Sequence, residues 1–106
     1  MIIEMKMLND LGIIIDEVDR LLDDANRLDY FKMVDTYRYQ MIKDALIELP
    51  SIIYTMDTYY TTLRPHYELG LCNSSIEVEQ FKRIQSKYNN VKKLYNERKF
   101  ERSIFR

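Results

Sequence analysis

Leu8, Leu11, Ile15, Val18, Leu22 and Ala25 recur at alternating spacings of three and four residues. That is the a/d row of a heptad, held for about three repeats. Met7, Ile14, Leu21 and Leu28 add a flanking g row, which widens the stripe to that of a bundle helix. The pattern predicts a first helix over about 4–28. On the same wheel Asp16 and Asp23 take b, while Asp10, Glu17 and Asp24 take c, so the carboxylates form a stripe facing away from the core. Gly12 falls at an outward e position beside Ile13 at f. A glycine there costs about 1 kcal/mol against alanine, so it is either tolerated or meets a close backbone.

Asp29 can cap a second helix over about 30–48, with Tyr30, Val34, Tyr37, Met41, Ala45 and Leu49 as its apolar rows and Ile42 and Leu46 alongside. No Gly or Pro lies between Gly12 and Pro50, so one continuous helix through 26–30 is the alternative. Pro50 is expected to end this element, since it lacks a donor and disfavours helical geometry at Leu49. Within 51–63, Ile52, Met56, Tyr59 and Leu63 have helical spacing, whereas Thr55, Thr58, Thr61, Thr62 and the nearby tyrosines favour strands. No partner strand exists elsewhere, so the segment reads as a short helix stopped by Arg64-Pro65. Residues 64–74 then read as a loop holding Gly70.

Ser74-Ser75-Ile76-Glu77 fits a capping box, with Ser74 as cap and Glu77 reaching back. A last helix is expected over about 75–101 on Phe81, Ile84, Tyr88, Val91 and Tyr95, with Leu94 flanking. Past Tyr95 the core positions become Arg98 and Arg102, so the final turns should overhang the body with Phe100, Ile104 and Phe105 uncovered. The fold class is therefore all-α: a single domain, 1–106, built as an antiparallel bundle of three to four helices with a long C-terminal helix.

Composition narrows the setting. The chain has 106 residues, 46% hydrophobic and 31% charged, an ordinary globular balance. The apolar runs at 11–15 and 51–56 are too short to span a bilayer, and the start lacks the basic region and apolar run of a signal peptide. Cys72 is the single cysteine and cannot form an internal disulfide. A cytoplasmic protein with no membrane association is expected. Abundant Ile, Asn, Lys, Tyr, Met and Phe against few Ala, Gly and Pro suggest AT-rich coding, as in many phages and plasmids. Charge is segregated: residues 1–29 carry −5, residues 30–79 carry −3 and residues 80–106 carry +7. An acidic body with a basic end biases the choice of partner.

Catalytic chemistry finds little support. His66 is the only histidine, and no G-x-S-x-G, phosphate-binding glycine loop or calcium loop is present. His66, Glu68 and Cys72 lie near one another in sequence but match no established zinc spacing and supply only three ligands. The expectation is a protein that is not an enzyme and takes no metal and no cofactor.

Recognition remains. The stripe of Asp10, Asp16, Glu17, Asp23 and Asp24 repeats along one helix face and can dock on a basic partner surface or occupy a nucleic-acid-binding groove. Nine tyrosines and six methionines exceed what one small core absorbs, and both residue types suit interfaces. Gly12, Ile13, Tyr95, Phe100 and Phe105 are the expected contacts of a homodimer. The favoured function is a non-catalytic protein-binding module, a small phage- or plasmid-type inhibitor or adaptor that covers a protein partner. One alternative is a nucleic-acid-binding protein using Lys92, Lys93, Lys99 and Arg102 on the basic helix. Another is an immunity-type bundle. The pediocin-like bacteriocin-immunity proteins are similar in architecture and length, with functional C-terminal tails, but no motif is shared.

Overall fold

The computed structural model describes residues 3–97. Four helices follow one another: α1 (Ile3–Asn26), α2 (Leu28–Val34), α3 (Thr36–Glu68) and α4 (Ser75–Glu97). The all-α bundle expected from periodicity is the observed architecture. No described helix is long and apolar enough to cross a membrane.

The first helix buries the six residues of its a/d row, Leu8 through Ala25. It ends at Arg27, whose N–H bonds the Asp24 carbonyl at 3.0 Å, a tightened i−3 turn. The short α2 is a corner piece that seats Leu28 and Phe31 in the core. Its expected cap, Asp29, instead lies inside the helix. The capping role falls to Asp35, whose side chain accepts from the Arg38 N–H at 3.1 Å and starts α3.

The third helix departs most from expectation. It runs unbroken through both Pro50 and Pro65, where the prolines predict a helix, a second short helix and a loop. Ile42, Leu46, Leu49, Ile53, Met56, Tyr60, Leu63 and Tyr67 are buried at alternating four- and three-residue steps, so one seam extends across both prolines. Pro50 and Pro65 both sit on the exposed face, so neither ring intrudes on the buried seam. The strand-favouring threonines are accommodated too. Thr55, Thr58 and Thr62 each donate a hydroxyl to the carbonyl four residues back, at 3.2, 2.9 and 2.8 Å. The new phase also corrects the start of the element. Tyr30, Val34, Tyr37 and Met41, read as core-facing, are exposed, and Ile42, Leu46 and Leu49 form the core.

The three long helices give the molecule its 51 × 25 × 20 Å shape. Its length is that of the 33-residue α3 at about 1.5 Å per residue. Helix α1 runs antiparallel to α3 and parallel to α4. The parallel register is marked by Gln80 on Asn9 and Lys87 on Asp16. Between α3 and α4 the seam is aromatic. Tyr60 stacks on Tyr88 at 3.9 Å and Tyr67 on Phe81 at 4.7 Å between ring centroids.

Candidate functional surfaces and a ligand cluster at the helix turn

The acidic stripe of α1 is partly tied to the chain's own cations. Asp10 pairs with Lys6, Asp16 with Lys87 and Asp23 with Arg27. Asp24, largely covered, receives both Arg27 at 3.3 Å and Arg38 at 3.5 Å. Glu17 and Asp19 alone on this face are exposed without an ion pair among the described residues. Such exposed pairs contribute about 0–1 kcal/mol each. They do soften the continuous negative ridge that sequence spacing implies.

The basic helix is also partly used at home. Lys92 bonds Asp57 at 2.9 Å, and the Tyr88 hydroxyl donates to the same carboxylate at 2.6 Å. Burial raises the Tyr88 pKa first, and the bond to Asp57 adds to it. Lys93 is exposed. Lys99 and Arg102 lie outside the described residues.

The expected dimer contacts divide. Gly12 is half-buried against α4, where an added Cβ would meet Ile84 Cδ1 at 3.5 Å. The close approach is thus made inside one chain, and the exposed e position assigned to Gly12 is a contact between α1 and α4. Ile13 is 59% exposed. Tyr95 is half-buried against the core, and Phe100 and Phe105 lie outside the described residues.

Two features escaped the sequence reading. The first is the corner between α1 and α3. Phe31 lies there against two guanidinium groups, Arg38 at 4.5 Å and Arg27 at 5.3 Å from its ring centroid. On this fixed base Tyr30, Met33, Val34, Tyr37 and Met41 are between 53% and 84% exposed. The sequence carries the signal as an apolar row, Tyr30, Val34, Tyr37 and Met41, that competes with the row of Ile42 and Leu46. Spacing alone does not say which of the two rows faces the core, and the break at Asp35 between α2 and α3 decides it.

The second is the turn between α3 and α4. Gly70, at φ 74°, reverses the chain in the left-handed region that glycine adopts without strain. The Leu71 N–H then reaches back to the His66 carbonyl at 3.1 Å, the long bond of a Schellman turn. Ser74 restarts the chain as a helix cap, its hydroxyl accepting from the Glu77 N–H at 3.3 Å. The reciprocal leg of the capping box is not made. The Glu77 carboxylate is buried and accepts from the Tyr67 hydroxyl at 2.5 Å. Burial first, and then that bond, lift the Tyr67 pKa well above the usual phenol value.

These two caps bring His66, Cys72 and Glu77 together, with their ligating atoms all within 4.8 Å of one another. Glu68, grouped with His66 and Cys72 by sequence proximity, points elsewhere. It accepts from Arg64 at 2.8 Å and from Gln85 at 3.0 Å. The Arg64 hydrogen bond holds the Glu68 pKa below the ordinary carboxylate value.

Against known protein families, curated proteins and solved structures, the chain shows no match.

Proposed function

We propose that this chain is a non-catalytic protein-binding module, an inhibitor or adaptor of the kind carried by phages and plasmids, and that it binds through the α2–α3 corner. The observation that carries this reading is the exposure there of Tyr30, Met33, Val34, Tyr37 and Met41 within twelve residues of chain. Large apolar side chains gathered at the surface mark contact sites in soluble proteins, and tyrosine and methionine are residue types that interfaces favour. The corner is also stiff beneath its exposed face. The cation–π contacts on Phe31, the Asp24 ion pairs and the Asp35 cap tie α1, α2 and α3 together there. A rigid base lowers the ordering cost of binding, while the methionines adapt to the surface they meet.

The occupant we infer is a second protein offering an apolar groove with a polar rim. A convex helical corner fits such a groove, and Asp29, Lys32, Asp35 and Arg38 are the exposed charges around it. The acidic face of α1 would then steer the encounter rather than form the contact. The engagement of Lys92 with Asp57 weighs against nucleic acid as the ligand. The filling of Gly12 by Ile84 weighs against a homodimer along α1.

The test uses three proteins: the natural chain, Met33→Ser with Tyr37→Ser, and Asp16→Asn with Asp23→Asn. Sedimentation should show all three as monomers. A stoichiometric protein partner should be retained by the natural chain and the stripe variant and lost by the corner variant. Retention by the corner variant would refute the assigned face. A dimer that the corner changes dissolve would make the occupant a second copy.

A further inference from the structure

The turn between α3 and α4 holds chemistry that the binding function does not use. His66 closes α3, Cys72 lies in the connecting turn, and Glu77 belongs to the first turn of α4. An imidazole, a thiol and a carboxylate, drawn from three consecutive pieces of backbone, converge to within 4.8 Å. They share a cavity of about 280 Å³ with Leu71, Asn73 and Ser74.

We propose that this turn binds a transition-metal ion of the zinc type, with His66, Cys72 and Glu77 as protein ligands and a fourth position open to water. Tetrahedral zinc, with bonds of about 2.0–2.3 Å, separates its ligand atoms by roughly 3.3–3.8 Å. With separations of at most 4.8 Å, the three atoms here are therefore within roughly 1–1.5 Å of a closed site. Small side-chain rotations cover that distance without moving a helix. The donor set is selective. Thiolate with imidazole suits zinc, cobalt or iron, whereas calcium and magnesium need an all-oxygen shell.

The state of Glu77 points independently to a cation. This side chain is only 7% exposed, yet it has no ion pair among the described residues. A carboxylate taken out of water without a countercharge is costly. Tyr67 bonds one of its oxygens and so orients the carboxylate, the support that outer partners give metal ligands. Ring packing of Tyr67 on Phe81 fixes that support in the core. The Schellman bond to the His66 carbonyl fixes the imidazole's backbone in turn.

Binding is written without redox change. The Cys72 thiol gives its proton to solvent, and its sulfur bonds the ion. His66 donates as neutral imidazole and Glu77 as carboxylate. The two anionic ligands cancel the charge of a divalent ion, so the loaded site is neutral.

Cobalt(II) titration of the reduced full-length chain tests the site. The expected result is one ion per chain, with a sulfur-to-cobalt charge-transfer band in the near ultraviolet and the visible bands of a tetrahedral ion. Zinc(II) should abolish both. Cys72→Ser should remove the charge-transfer band, and His66→Gln should weaken binding by about 100-fold or more. Tyr67→Phe should weaken it by about 10–100-fold while keeping the band. Circular dichroism without metal establishes that each variant is folded. For the natural chain alone, zinc should also slow alkylation of Cys72. The absence of a band, a band surviving in Cys72→Ser, unchanged affinity in His66→Gln or no protection from alkylation would each overturn the proposal and leave adventitious surface binding. None of these readings depends on a protein partner, so failure here is distinct from failure of the corner as a binding face.

Discussion

Tyr67 and Tyr88 each lie in the aromatic seam between α3 and α4, and each gives its hydroxyl to a carboxylate, Glu77 or Asp57. Both hold their protons more tightly than an ordinary tyrosine, first because burial penalises the phenolate and then because of those bonds. The consequence has a definite sign. In an unfolded chain tyrosine ionises near pH ~10. Above that point the unfolded state has shed protons that the folded state still binds, so stability falls as pH rises. Below it the contribution is fully present. The slope is about 1.4 kcal/mol per pH unit for a tyrosine that stays neutral in the fold. Urea midpoints should therefore drop steeply between about pH 10 and 12. In Tyr67→Phe the baseline stability should be lower by about 1–3 kcal/mol, because Glu77 loses its donor. Its alkaline slope should nonetheless be shallower, because one of the titrating groups is gone.

At the scale of elements, what was legible followed from continuous periodicity. In α1 an unbroken a/d row with no proline identified all six buried residues. In α4 Phe81, Ile84 and Val91 were equally readable, as was Ser74 as its cap. Helix α3 was obscured twice. Its prolines look like boundaries, yet with the ring on an exposed face a helix can lose one hydrogen bond and continue if its buried seam is long. Threonine propensity argued for a strand, although each hydroxyl had a carbonyl within reach one turn back. The ligand cluster could not be read, because sequence proximity selects Glu68 while the Gly70 reversal and the Ser74 cap deliver Glu77. Only backbone geometry distinguishes the two. The account of α3 makes its own prediction. Proline in a helix interior is about 3 kcal/mol worse than alanine, and the stiffer unfolded chain returns about 0.4–1 kcal/mol of that. Pro50→Ala should raise stability by about 2 kcal/mol, read as a higher urea midpoint with an unchanged m-value. A loss of stability would mean that the proline shapes α3 to fit α1.

Over the whole molecule the two distinctive features lie at opposite ends of a body 51 Å long. The apolar corner sits where α1 passes into α3, and the His66–Cys72–Glu77 cluster where α3 passes into α4. Between them, acidic α1 and basic α4 lie parallel, joined by the Lys87–Asp16 pair. This separation lets ionic strength decide which surface meets the partner. At about 0.1 M salt the Debye length is roughly 10 Å, so exposed charges act over only a fraction of the body. If the corner makes the contact, burial of apolar area dominates the affinity. Dissociation should then change little between about 0.05 and 0.5 M salt, while the association rate slows as steering by the acidic face is screened. If Asp16, Glu17 and Asp23 make the contact instead, dissociation should also quicken as salt rises, so that both rate constants move over the same range. Surface-plasmon kinetics on the captured partner separate these outcomes. Salt sensitivity confined to the association phase places the partner on Tyr37 and Met33, and salt sensitivity in both phases places it on the helix that carries the carboxylates.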